Sequence, residues 1–282
     1  MYLIGFSEKT AHNLKKRRNN MNISVNAPSY KRASNVLTLD YLPFCRIWVD
    51  CKEYDAYKKH YPDSDIVSCP EGVQGNLCRV RNWILKSEFE RGMDVVLIID
   101  DDLGAVERFE EESDTGYAYK RVTVGKDEFL PFLEKYSIIA KDFGAKFWGL
   151  NCNPDPMAYR HNSPFSTVSY IGGPFQCFLK GNRCWYDENL PLKEDYDMTL
   201  QQLNLERVVL RVNAYHYLCK QSENVGGCAT YRNRDREREQ FELLQRKWGS
   251  KIVKEDSSNK GRTDKQKMFD YNPIIVAPIK GI

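Results

Sequence analysis

Apolar positions along this chain gather into short runs separated by polar stretches with helical spacing. The strand-like runs are Asn22 to Ala27, Arg46 to Val49, Asp65 to Cys69 and Asp94 to Ile99. Between them, Glu53 to His60 and Leu77 to Arg91 read as helices. This alternation predicts βαβαβ units, a mainly parallel sheet covered by helices, and ligand sites beyond the carboxyl ends of the strands. Phe109 to Gly125 is polar and charged, which predicts an irregular excursion, and Lys126 to Phe143 reads as an amphipathic helix. Strand-like segments return at Lys146 to Asn151, Val168 to Ile171, Gln176 to Leu179 and Arg207 to Tyr217, so the second half is expected to be mixed. Tyr231 to Lys251 reads as a charged helix with Phe241, Leu243, Leu244 and Trp248 as its stripe and Gly249 as its end. Glu255 to Lys267 is expected to be mobile, and Tyr271 to Ile282 to return as a packed tail. The fold class that follows is α/β: a Rossmann-type mixed sheet flanked by helices, with a C-terminal helical extension.

Composition changes this picture little. A chain of 282 residues with 41% hydrophobic and 12% aromatic residues can fill a core, which excludes global disorder. Forty-two Lys and Arg against 39 Asp and Glu give a net charge of +3, too small to indicate nucleic-acid binding by itself. Any basic surface must be local; Lys15-Lys16-Arg17-Arg18 is either an exposed helix end or a phosphate-contacting patch. The nine cysteines contain no C-x-x-C pair and read as reduced thiols. The opening Met1 to Phe6 run is too short for a secretory signal, and no window approaches the roughly 20 apolar residues of a membrane helix. A cytoplasmic enzyme with no membrane partner is expected.

The chemistry concentrates where the run Val95 to Ile99 enters Asp100-Asp101-Asp102. Three carboxylates at the end of a buried strand need a cation or cationic side chains, and a hard divalent ion with oxygen ligands is the natural solution. In an extended segment Asp100 and Asp102 point the same way and could share one Mg²⁺ or Mn²⁺, with a nucleotide diphosphate completing the shell. An ordinary acidic loop or helix cap would be written with the same residues. A second acidic group, Lys193-Glu194-Asp195-Tyr196-Asp197, precedes a helix-like segment. Its carboxylates are either N-caps or the base that takes a proton from an attacking hydroxyl, with Asp195 and Glu194 the candidates and Asp197 a further option. His216, on a late strand, is either structural or a third ligand of the cation.

Nucleotide recognition points to Pro28-Ser29-Tyr30-Lys31-Arg32, where Tyr30 could stack on a base while Lys31 or Arg32 neutralises phosphate. Gly75-Asn76 opens a helix carrying Arg79 and Arg81 just inside its anion-favouring end. Two residues apart on a helix, they do not share a face, so one is expected to contact the donor and the other to pair with an acid. The turn Gly172-Gly173-Pro174 could let backbone approach a sugar, and Ser222 to Gly227 could cover the donor. Arg232, Arg234, Arg236 and Arg238 read as a solvated helix face or as the lining of an acceptor groove.

Together these residues resemble a glycosyltransferase of the GT-A type over about Asn22 to Tyr217. Pro28 to Ala33, Gly75-Asn76 with Arg81 to Leu85, and Ile98 to Asp102 resemble, more narrowly, the phage-encoded TET-associated DNA glycosyltransferases. The resemblance implies a domain over 1–230 with its donor half at about 20–105 and acceptor half at about 106–230, and residues 231–282 packed on it. It implies a UDP-sugar donor bound by Pro28, Ser29, Tyr30, Arg32, Gly75, Asn76, Arg79, Arg81, Asp100 and Asp101, and a metal held by Asp100, Asp102 and His216. It also implies 5-hydroxymethylcytosine in DNA as acceptor, in a host cytoplasm. A base in duplex DNA would have to be flipped into an aromatic-lined pocket, for which Phe175, Trp185 and Tyr186 are candidates. Transfer to a polysaccharide, protein or small molecule, nucleotidyl transfer, and non-catalytic DNA binding are the competing readings.

Overall fold

The computed structural model describes residues 21–111, 119–219, 232–256 and 271–278. Four parallel strands form its first half: β1 (Ile23–Pro28), β2 (Arg46–Asp50), β3 (Ile66–Cys69) and β4 (Val95–Ile99). They are joined by α1 (Thr38–Tyr41), α2 (Tyr54–His60) and α3 (Leu77–Glu90). All five residues of β4 are buried, as a strand covered on both faces requires. The apolar residues of α3 face the sheet, and Asn76 caps the helix by accepting from the Arg79 amide at 3.3 Å.

The second half adds β5 (Leu103–Glu111), β6 (Tyr119–Thr123), α4 (Lys126–Asp142), β7 (Phe147–Asn151), β8 (Phe165–Ser166), β9 (Phe175–Leu179), α5 (Glu194–Glu206) and β10 (Leu210–Cys219). The strands join one sheet in the order β3-β2-β1-β4-β9-β7-β10-β5-β6, with β8 beside β10. β9 runs antiparallel to both β4 and β7, whereas β7 and β10 are parallel. The mixed α/β sheet flanked by helices is the fold class read from the sequence. Beyond it, α6 (Arg234–Trp248) packs Phe241 and Leu244 on Leu190 and Leu200, and a two-stranded ladder joins β11 (Val253–Lys254) to β12 (Ile274–Ile275). Gly249 ends α6 as expected, with a φ of 88°.

Three expectations are corrected. Both described ends of Phe109 to Gly125 are β-structure: residues 107–111 pair antiparallel with 119–123, and the charged residues that suggested irregularity face one another across the ladder, as Arg121 and Glu107 do at 3.8 Å, while 112–118 lie outside the described residues. Val168 to Ile171 is not a strand; the Ile171 amide bonds the Thr199 hydroxyl of α5 at 3.2 Å, and the ladder residues are Phe165–Ser166. Arg207 caps α5 in a left-handed conformation (φ 66°), so β10 starts only at Leu210. The Lys15–Arg18 cluster, the Ser222–Gly227 loop and most of the 255–267 stretch lie outside the described residues. Among the described residues no helix is long and apolar enough to cross a membrane.

Candidate active site

Directly after β4 the chain must leave the parallel half and cross to β5 on the far side of the sheet. It does so in a tight turn made of Asp100, Asp101 and Asp102, closed by a 3.3 Å bond from the Leu103 amide to the Asp100 carbonyl. Thr38, at the start of α1, pins the turn: its Oγ1 donates to the Asp100 carbonyl at 2.7 Å and accepts from the Leu103 amide at 2.9 Å. The extended geometry expected for the triplet is therefore replaced by a turn, and the three carboxylates take separate surroundings. Asp101 and Asp102 are each only 3% exposed, and Asp100 stands nearer the opening.

The surroundings decide what each acid can do. Asp101 is tied to Arg32 and to the Ser29 hydroxyl, and burial pushes its carboxyl up to about 6 against the pull of Arg32. Asp102 is 3.8 Å from Arg32, and burial with the neighbouring Asp100 and Asp101 pushes it up to about 7. Its Oδ1 is buried without a hydrogen-bond partner. A buried carboxylate oxygen with no donor is costly, and a cation there would satisfy it. Among the described residues no three His, Cys, Asp or Glu side chains converge into a closed protein cage. Asp100 and Asp102 thus fit an open, two-carboxylate cation site only if its remaining ligands were supplied by a bound molecule.

These acids line one wall of a cleft of about 520 Å³. The end of β1 contributes Pro28, Ser29, Tyr30, Lys31 and Arg32, and the start of α3 contributes Gly75 and Asn76. Lys31 takes a positive φ of 57° and carries its ammonium over the Tyr30 ring at 5.0 Å. Opposite lie Glu194 and Asp195 at the first turn of α5. Asp195 Oδ2 accepts from the Tyr170 hydroxyl and from the Gly173 amide at 3.2 Å, and its Oδ1 accepts from the Tyr196 amide at 2.8 Å. Glu194 is buried, and desolvation with the adjacent Asp195 pushes its carboxyl up to about 8.

Arg81 joins the two walls. With only 1% of its side chain exposed, it donates to Asp100 Oδ1 at 2.9 Å, to Glu194 Oε1 at 3.2 Å and to the Gly173 carbonyl at 3.2 Å. Arg79 points elsewhere, to Glu188 at 2.9 Å and the Gly72 carbonyl at 2.8 Å, and does not line the cleft. Both arginines therefore pair with acids, where one was expected to do so, and of the two only Arg81 lines the cleft. His216 also falls away from the acids. It is buried, stacks on Phe109 with ring centroids 4.9 Å apart, and faces Glu107 at 3.2 Å. The ladder between β10 and β7 shifts register between Val212 and His216, so Tyr217 and not His216 lines the cleft. Asp197 is held by the Trp248 indole at 2.8 Å and Lys247 at 2.9 Å, on the outer side of α5.

The sequence reading missed several residues that the cleft assembles. Tyr170 and Tyr196 stack with centroids 4.3 Å apart and line the cleft, whereas Phe175 and Tyr186 are core and Trp185 is exposed at the surface. The Cys219 thiol interacts with Asp102 and is held protonated by burial and the nearby acids. Its place at the end of β10 beside Leu103 was not readable without the strand pairing.

Solved structures of similar shape are distant. The chain resembles S. aureus TarS 1–349 with a TM-score of 0.46 and 15% identity, covering 89% of this chain and 71% of that one. It resembles M. tuberculosis glucosyl-3-phosphoglycerate synthase, solved with Mn²⁺, UDP-glucose and phosphoglyceric acid, with a TM-score of 0.47 and 11% identity over 92% of this chain and 91% of that one. Among curated proteins none matches. The family model of the TET-associated glycosyltransferases matches residues 23–227, more than half of the chain and all of the cleft's strands. With that match and the acidic turn, this chain belongs to the TET-associated glycosyltransferase family.

Proposed function

We propose that this glycosyltransferase moves a sugar from a UDP-sugar to the hydroxymethyl group of 5-hydroxymethylcytosine in DNA, with Mn²⁺ or Mg²⁺ at Asp100 and Asp102. The observation that carries the donor half is the juxtaposition, across one cleft, of an acidic turn with an unsatisfied buried oxygen and a hydrogen-bonded carboxylate. The DNA acceptor rests on the family resemblance.

Tyr30 would pack on the nucleobase, and the amides at the start of α3, behind Gly75 and Asn76, would face the diphosphate. A divalent cation, when bound, neutralises the charge that builds on the departing diphosphate. Asp195 would take the proton from the acceptor hydroxyl as that oxygen attacks the anomeric carbon and the bond to UDP breaks. The Gly173 amide and the Tyr170 hydroxyl fix its Oδ2, while Oδ1 is held by the helix amide of Tyr196. Glu194 is the weaker choice: its carboxyl is turned onto Arg81 and keeps its proton up to about pH 8. Arg81 would hold the donor wall and the base wall at a fixed separation. The stacked Tyr170 and Tyr196 would offer the aromatic wall that an extruded base needs.

The deciding experiment incubates the protein with UDP-glucose or UDP-N-acetylglucosamine, Mn²⁺, and hydroxymethylated or unmodified DNA. A mass gain of one hexosyl or N-acetylhexosaminyl residue, matching the donor and confined to the hydroxymethylated nucleoside, is expected. UDP release without any gain on the base would remove the DNA acceptor and leave a glycosyltransferase acting on another alcohol.

A further inference from the structure

The family match stops at residue 227, yet Arg232, Glu237 and Asn272 line the same cleft as Asp195. The link is Lys193, the residue immediately before α5. Its carbonyl accepts the first helical bond from the Asp197 amide at 3.0 Å, while its side chain, 1% exposed, runs the other way to Glu237 of α6 and to Asn272 Oδ1 at 3.3 Å. Glu237 is 4% exposed and also pairs with Arg232 at 2.8 Å. Gln240, one turn further along α6, accepts from the Leu192 amide at 3.3 Å and donates to the Asn189 carbonyl at 2.9 Å.

A buried ion pair is an expensive way to hold two helices together. Apolar residues of similar volume often serve as well or better, and Phe241, Leu244, Leu190, Leu200 and Val253 already dock α6. What the ion pair and the glutamine add is direction. They fix α6 against one point of the chain, the entry to α5, where the two cleft carboxylates emerge.

We propose that Lys193 and Glu237 are positioning residues: through them α6 and the 271–278 segment set the place of Asp195 in the cleft. The inference rests on reading Asp195 as the base. Through Lys193 and Glu237, α6 would act on turnover from outside the family-matched span.

The test uses the full chain, the isosteric variant Glu237→Gln and the apolar double variant Lys193→Met with Glu237→Leu. Four properties are measured: UDP release from UDP-glucose with Mn²⁺, UDP affinity by calorimetry, melting temperature, and the side-chain carboxyl ¹³C resonance of Asp195. In both variants kcat should fall about 10- to 100-fold, as expected for a reacting group displaced by about an ångström. UDP affinity should stay within about twofold, because the donor-side contacts are intact. The Asp195 resonance should move, and the double variant should melt no lower than the parent. An unmoved resonance, or a rate loss that follows melting temperature alone, overturns the proposal. If the double variant does not fold, Glu237→Gln decides by the same readings. Should the parent chain release no UDP from any UDP-sugar, the functional reading fails by itself and the Asp195 resonance still decides the positioning role.

Discussion

Asp102 carries two opposing demands. Its carboxyl is buried beside two other acids and sits near 7, so ionising it costs the folded protein free energy in the absence of a cation. Asp102→Asn should therefore raise the melting temperature of the metal-free protein at pH 8 while abolishing the Mn²⁺-dependent gain in UDP affinity. Calorimetry with and without Mn²⁺ checks both, and retained Mn²⁺ dependence would remove Asp102 from the cation site. Glu194 supplies a separate test of sign. Its folded value of about 8 lies above the ordinary glutamate value of 4.5, so the folded state holds its proton more tightly than the unfolded chain does. The stability this gives is complete below about pH 4.5 and is lost as pH rises through about 8. Glu194→Gln, which stays neutral, should flatten that decline between pH 5 and 8. Asp101 and Asp102 shift in the same direction, so the variant should keep a residual slope, with the wild type steeper, in melting curves recorded across that range.

Among the elements, the turn between β8 and β9 is where backbone must come closest to the cleft wall. A side-chain carbon on Gly172 would stand 2.3 Å from the Tyr217 hydroxyl and 2.9 Å from the Cys152 sulfur. Gly172→Ala should destabilise by about 1–3 kcal/mol, the usual range for overpacking, and push Tyr217 into the cleft. Removing the hydroxyl in a Gly172→Ala, Tyr217→Phe double variant should recover part of the loss, read as melting temperature and UDP release. Full wild-type behaviour in the single variant would mean that the turn opens without cost. The first turn of α5 shows how a short acidic segment divides its roles. Asp195 and Asp197 both looked like helix-start carboxylates, but 200° of helical rotation sends one to Gly173 and the other to Trp248 and Lys247.

At the scale of the whole molecule, the proposed donor and acceptor chemistry would share one cleft lined from both halves of the sheet and from α6. Binding that engages all three should stabilise the fold as a unit. With Mn²⁺ and UDP at about 100 times the dissociation constant, the expected gain is about 2.7 kcal/mol. A single melting transition that moves upward as a whole is the predicted record. An upward shift confined to part of the transition would show that α6 melts independently of the donor half.

The sequence alone determined a good deal of this protein. The all-apolar run Val95 to Ile99 could only be a strand covered on both faces, so Asp100 to Asp102 had to lie at its end. Gly75-Asn76 announced the start of α3, and Gly249 the end of α6, because cap chemistry is local. Pairing and register belong to the tertiary structure, and they decided the rest. Within Phe109 to Gly125, residues 109–111 and 119–123 became paired only because β5 found β10 and β6, and a register shift in β10 turned Tyr217 to the cleft and His216 onto Phe109. Arg79 and Arg81 are equivalent letters two positions apart, and only the packing of α3 on the sheet buried one between Asp100 and Glu194. Local signals fix where elements begin and end, because they depend on neighbours in the chain. Which side chains meet depends on residues about 20 to 110 positions apart, such as Arg81 with Asp100 and with Glu194, and no local pattern encodes those distances.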